Sequence, residues 1–336
     1  MTSAGPTFNS NGAVNVPAFV LPVSGLASAE AAASQRARAT MPPFDAVGQE
    51  SDIAVRRRQI EDMIAPQLAG LRQAFPVTIA EETMGGVEVL VITPADGGQD
   101  PDRVLINLHG GAFTVGWSGI ALVESIPLAV LGGYRVISVN YRMAPEYAHP
   151  AAAEDVASVY AELIKHYAPA RIGIYGGSAG GVLTAQVAAW LPAHDLPQAG
   201  AVGIFGAGGV PFEAGESAYV AGYIDGSFPP PPADGGAPID ITRGYFASCD
   251  GKDPSAWPGY HSEVMAKFPP TLIITGTRAI HLSPAIYTNS QLLKAGVRSM
   301  LLVGEGMGHC YYYNLALPEA RDAYQAIVAF FRDSLV

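Results

Sequence analysis

Three clusters of residues in this 336-residue chain have the types and spacing for nucleophilic chemistry on a carbonyl group. Ser178 stands in Gly176-Gly177-Ser178-Ala179-Gly180, a G-x-S-x-G pattern. The β-branched, apolar run Ile172 to Tyr175 precedes it, and good helix formers (Val182, Leu183, Ala185, Val187) follow. A serine at such a strand-to-helix turn holds a strained backbone and presents its hydroxyl at the carboxyl end of a sheet, and small residues two positions either side let strand and helix close. The plainer readings are a glycine-rich turn or a phosphate cradle, but a P-loop would end in Gly-Lys-Ser/Thr, which is absent. His109-Gly110-Gly111-Ala112-Phe113 follows the apolar run Arg103 to Leu108. Adjacent glycines leave backbone N–H groups unshielded, as a developing oxyanion requires, so the pattern assigns Gly110 and Gly111, with the N–H of Ala179, to an oxyanion hole. His309 lies in the glycine-rich loop Gly304 to His309, after the apolar Met300 to Val303. It is the candidate general base, whereas His149, His166, His194 and His261 fall in helical or insertion contexts that suit packing or solvent.

The elements that must position these groups alternate. Val77 to Glu81 and Val87 to Thr93 flank Gly85-Gly86 as an edge hairpin. Strands are then expected over Arg103 to Leu108, Tyr134 to Asn140, Ile172 to Tyr175, Ala201 to Phe205, Thr271 to Thr275 and Ser299 to Val303. Helices are expected over Ile120 to Leu131, Ala152 to Tyr167, Ala179 to Trp190, Ser283 to Ala295 and Glu319 to Phe331. This predicts an α/β fold, a mostly parallel sheet with helices on both faces and its ligand site at the carboxyl strand ends. Two stretches stand outside the alternation. Residues 1 to about 75 end in a helix over Asp52 to Ala74, with Ile53, Val55, Ile60, Ile64 and Leu68 as its apolar positions. Gly206 to Phe268 is an irregular insertion rich in glycine, proline and aromatics, the usual character of a lid.

A formal charge of −11, with only 15% charged residues, argues against nucleic acid or an anionic membrane as partner. A neutral or weakly cationic small molecule fits better. Cys249 and Cys310 form no metal or redox spacing, and nothing requires a disulfide between them. Met1 to Asn11 lacks the basic and apolar regions of a secretory leader and no run is long enough to span a membrane, so a cytoplasmic protein is the default expectation.

With serine before histidine, the chain resembles the hormone-sensitive lipase-like (bacterial family IV) carboxylesterases of the α/β-hydrolase superfamily. The segments that carry the resemblance are His109-Gly110-Gly111, Tyr141-Arg142-Met143-Ala144-Pro145-Glu146 with Pro150-Ala151-Ala152, the Gly176 to Gly181 elbow, and His309. It implies an α/β-hydrolase core over residues 76–205 and 269–336, with a helical cap made of the segment 1–75 and the insertion 206–268. It further implies hydrolysis of short to medium acyl esters through an acyl-enzyme on Ser178, with His309 as base and no metal or cofactor. One of Tyr311, Tyr312 and Tyr313 would line the pocket, and a homo-oligomer is compatible.

Two positions depart from the family pattern. Gly177 replaces a residue that is often acidic, and Ala279, in Gly276-Thr277-Arg278-Ala279, stands where the catalytic aspartate belongs. Alanine accepts no hydrogen bond, so His309 would lack the group that fixes its tautomer and steadies its imidazolium. Three readings follow: a true esterase weakened by loss of its acid, natural or introduced; an esterase in which Glu305 or Glu213 supplies the acid; or a non-catalytic binder of small molecules on a hydrolase scaffold.

Overall fold

The computed structural model describes residues 5–40, 50–225 and 228–336. A small hairpin, β1 (Thr7–Phe8) with β2 (Val14–Asn15), and two helices, α1 (Ala29–Ala37) and α2 (Ile53–Ala74), precede the main sheet. The sheet strands are β3 (Val77–Met84), β4 (Val87–Pro94), β5 (Val104–Leu108), β6 (Arg135–Val139), β7 (Ile172–Gly177), β8 (Ala201–Phe205), β9 (Thr271–Gly276) and β10 (Ser299–Gly304). Their spatial order is β10-β9-β8-β7-β5-β6-β4-β3. The β3–β4 and β4–β6 pairs are antiparallel, and every other neighbouring pair is parallel. The expected α/β architecture and edge hairpin are therefore present.

Strand side chains alternate between two cores, as the two-residue period requires. From β5, Val104, Ile106 and Leu108 enter the core that also holds α4 (Ala151–Leu163) and α5 (Ala179–Ala193). Leu105 enters the opposite core, with α3 (Gly119–Gly132) and α9 (Pro318–Ser334). The central strands β5, β7, β8 and β9 are buried at every residue, while the edge strands β3 and β10 are partly exposed. A parallel sheet covered on both faces needs continuous apolar strands, which is why their runs were so plain in the sequence.

Helix α2 begins where expected. The Asp52 carboxylate accepts from the Ala54 and Val55 N–H groups at 2.8 and 3.2 Å, satisfying two donors that the first turn leaves open. Ile60 and Leu71 are its buried apolar side chains, and it packs along α3. The insertion is less irregular than its composition suggested. It contains α6 (Glu216–Ile224) and the short α7 (Ser262–Met265), and α8 (Leu282–Lys294) follows in the core after β9. Helix α6 was missed because its Gly222 and the prolines beyond it read as loop; Gly222 is tolerated because Pro231 packs where a side chain would stand. Among the described residues no helix is long and apolar enough to cross a membrane.

Candidate active site

The turn from β7 to α5 carries Ser178 at φ 56° and ψ −121°, a conformation that L-residues seldom adopt. Its flanking glycines are a steric necessity. A Cβ on Gly176 or Gly180 would overlap the carbonyl of Leu108, at the end of the neighbouring strand β5. The strand and helix thus close to backbone contact, and the serine side chain is left pointing out of the turn. His309 Nε2 lies 2.9 Å from Ser178 Oγ, within the reach of proton transfer.

The turn after β5 is braced by groups that sequence reasoning only partly anticipated. His109 is fully buried, its ring stacked on Tyr141 at 4.3 Å between centroids. The Tyr141 hydroxyl donates to the His109 carbonyl at 2.6 Å, and His109 Nδ1 lies 2.8 Å from the Gly110 carbonyl. Since a carbonyl only accepts, the His109 proton sits on Nδ1. Burial holds the pKa of His109 down to about 4, so the ring is neutral and serves as a brace.

Glu124, on α3, was not foreseen at all. Its buried carboxyl accepts from the Asn107 amide at 2.8 Å, the Gly110 N–H at 2.9 Å, the Gly177 N–H at 3.3 Å and the Tyr313 hydroxyl. One side chain therefore ties together the oxyanion turn, the nucleophile elbow and the histidine loop. Burial pushes its pKa up to about 7 even though each of these hydrogen bonds works to lower it. The available signal was that Glu124 is the only charged residue in an otherwise apolar helix.

This contact corrects one expectation. The Gly110 N–H is occupied by Glu124, so it is not free for an oxyanion. Among the described residues, the N–H groups of Gly111, Ala112 and Ala179 have no acceptor. Gly111 and Ala112 both have positive φ (123° and 55°), which turns the peptide units of this loop, while Ala179 belongs to the first turn of α5, where N–H groups have no partner within the helix. The replacement at Gly177 has a counterpart too: a Cβ there would come within 2.9 Å of Glu124 Oε1 and crowd the hydroxyls of Tyr312 and Tyr313, so no acidic side chain would fit.

The far side of His309 is different in kind. Its Nδ1 is buried and has no hydrogen-bond partner among the described residues, and burial alone holds its pKa down to about 4. Ala279, buried to 1% exposure, sits in the loop after β9. That loop abuts the histidine loop, with the Arg278 N–H donating to the Met307 carbonyl at 2.9 Å. His281 from the same loop stacks on His309 at 4.8 Å, and Phe228 from the insertion meets the ring edge-on at 4.9 Å. Burial, then the neighbouring His309, holds the pKa of His281 well below its usual value, so His281 supplies no charge. Neither sequence candidate for the acid reaches the ring. Glu305 accepts from the Ser24 hydroxyl at 2.8 Å on the exposed rim, and Glu213, in the turn Phe212–Ala214 before α6, makes no hydrogen bond to His309. Another carboxylate packs against the histidine loop. Asp225, just past the end of α6 and 5% exposed, packs against Gly308, the residue before His309, and pairs with Arg38 at 3.8 Å.

A cavity of about 830 Å³ opens beside this histidine, lined among others by Gln35, Arg38, Leu71, Asp225, His309 and Tyr313. Its walls therefore come from the N-terminal segment, the insertion and the histidine loop. Of the three consecutive tyrosines, Tyr311 and Tyr313 line it.

The match to known proteins agrees with this geometry. The profile of a family described as the alpha/beta hydrolase fold matches residues 105–313, well over half of the chain. The chain belongs to that family. A solved esterase superposes with a TM-score of 0.83 at 28% identity, covering 96% of this chain and 99% of its own. An esterase from the bacterial hormone-sensitive lipase family gives a TM-score of 0.77 at 26% identity, covering 92% and 99%. Among curated relatives, an acetyl-hydrolase of Streptomyces hygroscopicus is 29% identical over 68% of this chain and 75% of its own length. Others match over shorter stretches: lipase 2 of Moraxella sp. is 38% identical over 26% of this chain and 21% of its own, and the arylacetamide deacetylase of Oryctolagus cuniculus 34% over 33% and 30%. These α/β hydrolases are named for ester or acyl-group hydrolysis, and the resemblance to hormone-sensitive lipase-like esterases stands.

Proposed function

We propose that the chain is a serine carboxylesterase acting on small acyl esters, with Ser178 as nucleophile and His309 as base. The observation that carries this reading is the 2.9 Å contact between Ser178 Oγ and His309 Nε2 at a strained elbow, beside backbone N–H groups that have no acceptor. Ser178 Oγ attacks the ester carbonyl carbon while its proton passes to His309 Nε2. The negative charge moves to the carbonyl oxygen, which the N–H groups of Gly111, Ala112 and Ala179 stabilise. Collapse of this intermediate expels the alkoxide, which takes the proton from His309 and leaves an acyl group on Ser178. Water then attacks the acyl carbon, giving its proton to His309; collapse of this second intermediate breaks the bond to Ser178 Oγ, which takes the proton back from His309, and the acid product departs. No metal or cofactor has a role in these steps. On this reading the N-terminal segment and the insertion form the cap; the cavity of about 830 Å³ that they bound has His309 but not Ser178 in its wall, so its volume does not set acyl length, and the short to medium range follows from the family resemblance.

Acid loss at Ala279 is part of the same reading. Each proton transfer creates an imidazolium in a buried site, and a triad carboxylate would stabilise it. With no carboxylate at position 279, the barrier is higher and turnover is slow. One observation favours a second source of charge: the buried Asp225 carboxylate lies against Gly308, the residue before His309.

Incubation with an aryl organophosphonate, followed by intact mass and peptide mapping, tests the assignment. A single adduct on Ser178, formed slowly, is the expected result. Labelling at another residue, or none after prolonged incubation with a folded chain, would overturn it.

A further inference from the structure

A second cluster of reactive side chains lies outside this site, at the base of the insertion. His149 precedes helix α4, whereas Cys249 and Asp253 belong to the insertion, and one donor atom from each lies within 4.8 Å of the other two. The segment is already docked there: the His149 N–H donates to the Tyr245 carbonyl at 2.9 Å and the Ala152 N–H to the Tyr245 hydroxyl at 3.0 Å. The hydrogen bonds around the imidazole fix its tautomer. Ser255 Oγ has one proton and lies 2.6 Å from Asp253 Oδ1, a carboxylate oxygen that only accepts, so the hydroxyl donates there. At 2.9 Å from His149 Nε2, the same oxygen must accept, and the ring proton is on Nε2. Nδ1 is then a lone pair, shielded from solvent, that no donor among the described residues reaches. Such an acceptor is costly to bury unless something fills it. The Cys249 thiol is free and does not hydrogen-bond to it.

We infer that His149 Nδ1, Cys249 Sγ and Asp253 form a binding site for a borderline divalent cation of the Zn²⁺ class, with water as the fourth ligand. The donor set of one imidazole nitrogen, one sulfur and one carboxylate oxygen is among those Zn²⁺ takes, and the hard cations Mg²⁺ and Ca²⁺ avoid sulfur. Charge also balances, since a thiolate and a carboxylate together offset a dication beside a neutral imidazole. On binding, the Cys249 proton leaves to solvent and the sulfur–metal bond forms without any change of oxidation state. Tetrahedral ligands around Zn²⁺ are spaced by roughly 3.3–3.8 Å, given bond lengths of about 2.0–2.3 Å. A spread of up to 4.8 Å therefore closes by about 1 Å on binding, a small movement for a loop. Ser255 supplies the outer partner that orients a metal-bound histidine, holding Nε2–H while Nδ1 faces the ion. The metal would pin the insertion to the core at the start of α4. Its role is separate from ester cleavage, because none of its ligands touches Ser178 or His309 in this structure.

The test uses the reduced, metal-free full chain. Titration with Co²⁺ should give one equivalent of binding with a thiolate-to-cobalt absorption band, and Zn²⁺ should displace it with a dissociation constant at or below about 1 μM while raising the thermal midpoint. Cys249→Ser should abolish the band, and Asp253→Asn should weaken Zn²⁺ binding at least about tenfold with the fold intact by circular dichroism. No thiolate band in the unmodified chain, a band that persists in Cys249→Ser, or Zn²⁺ affinity unchanged in both variants would overturn the site. Ester hydrolysis is not the readout, so a failure here leaves the Ser178 assignment untouched.

Discussion

The two sides of His309 are built to different standards. On the Ser178 side, every participant is held by something else: the elbow by backbone contact with Leu108, the oxyanion turn by His109, Tyr141 and Glu124, and the serine by its strained dihedral angles. On the other side, the ring meets His281 and Phe228, the adjoining loop holds the buried Ala279, and Nδ1 has no partner among the described residues. On the reading proposed above, such a site is preorganised for attack on a carbonyl but poorly equipped to hold the charge that attack places on the base. Much of the catalytic power of a serine hydrolase resides in the oxyanion hole and in binding, so activity is expected to survive at a reduced level.

The largest effect should come from repairing the weak side. Ala279→Asp places a carboxylate in the loop that abuts the histidine loop and should raise kcat by about 10³ to 10⁴, since loss of the acid from a serine triad costs about 10⁴. The acid limb of kcat/KM should move with it. Burial now holds His309 at about 4, and an adjacent negative charge favours the protonated ring, so the limb shifts to higher pH. Glu305→Gln and Glu213→Gln should leave the parent rate within about twofold, as neither carboxylate reaches the ring. If Asp225→Asn abolishes the parent activity and Ala279→Asp gains less than about tenfold, the far side is already completed from the insertion and the comparison fails.

The well-built side is sharpened by removing its common anchor. Glu124→Ala strands the Asn107 amide and the Gly110 and Gly177 N–H groups in a dry interior, at about 1–3 kcal/mol for each unsatisfied group. A fall in kcat of about 10²-fold and a lower thermal midpoint are expected. Glu124→Gln retains an acceptor oxygen and should stay within about tenfold of the parent in kcat. Because each carboxylate oxygen accepts from two donors, the glutamine NH2 leaves one pair unmet, and equal losses in the two variants would mean that both oxygens are needed as acceptors.

Acid should weaken the fold through the same two regions. His109 and His309 have folded pKa values held by burial at about 4, below the 6.5 of an unperturbed histidine. The folded chain therefore binds fewer protons than the unfolded one between those values, and stability present above pH 6.5 is lost as pH falls toward 4. Glu124 acts in the opposite sense. Its pKa of about 7 exceeds the unperturbed 4.5, so its contribution is full below pH 4.5 and is lost as pH rises through 7. Thermal midpoints should decline on acidification from pH 6.5, and less steeply in Ala279→Asp, where His309 accepts its proton more readily. A midpoint that rises on acidification from pH 6.5 to 4.5 would contradict the burial of neutral imidazoles, since the two histidines outweigh Glu124 in that window.

How far the sequence revealed these regions follows from what kind of force sets each one. The elbow was legible because its requirements are local and steric: Gly176 and Gly180 exist for the approach of Leu108, and no other residue fits. Ser178 and His309 followed from chain order and strand-end placement, and the structure brings them to 2.9 Å. Gly110 was misassigned because the direction its N–H points depends on Glu124, a residue from a different element whose single charge gave no motif. Asp225 was overlooked because it belongs to an insertion whose pattern is diffuse, and its nearness to Gly308 is created only by the fold. His149 and Cys249 are likewise joined by topology, so no spacing rule would pair them.

The smallest effect is expected where helix α2 meets the braced side on the surface. Arg57, on α2, makes a bidentate pair with Glu146 at 2.7 and 2.8 Å, and its Nε donates to the Thr114 carbonyl at 2.9 Å. Thr114 lies just beyond the oxyanion turn, so this arginine could in principle steady the turn as Glu124 does. Its setting argues otherwise. The two side chains are 30% and 45% exposed, and exposed ion pairs contribute about 0.2–1 kcal/mol because water screens them and two long side chains must be ordered. Arg57→Ala should therefore lower the thermal midpoint by only about 2 °C, and kcat should change less than about threefold. With the N-terminal segment as the cap proposed above, KM and acyl-length preference should respond more than kcat. A fall in kcat comparable to that of Glu124→Ala would show that the turn is held from outside as firmly as from within, and that the contrast between a dry anchor and a wet one does not hold here.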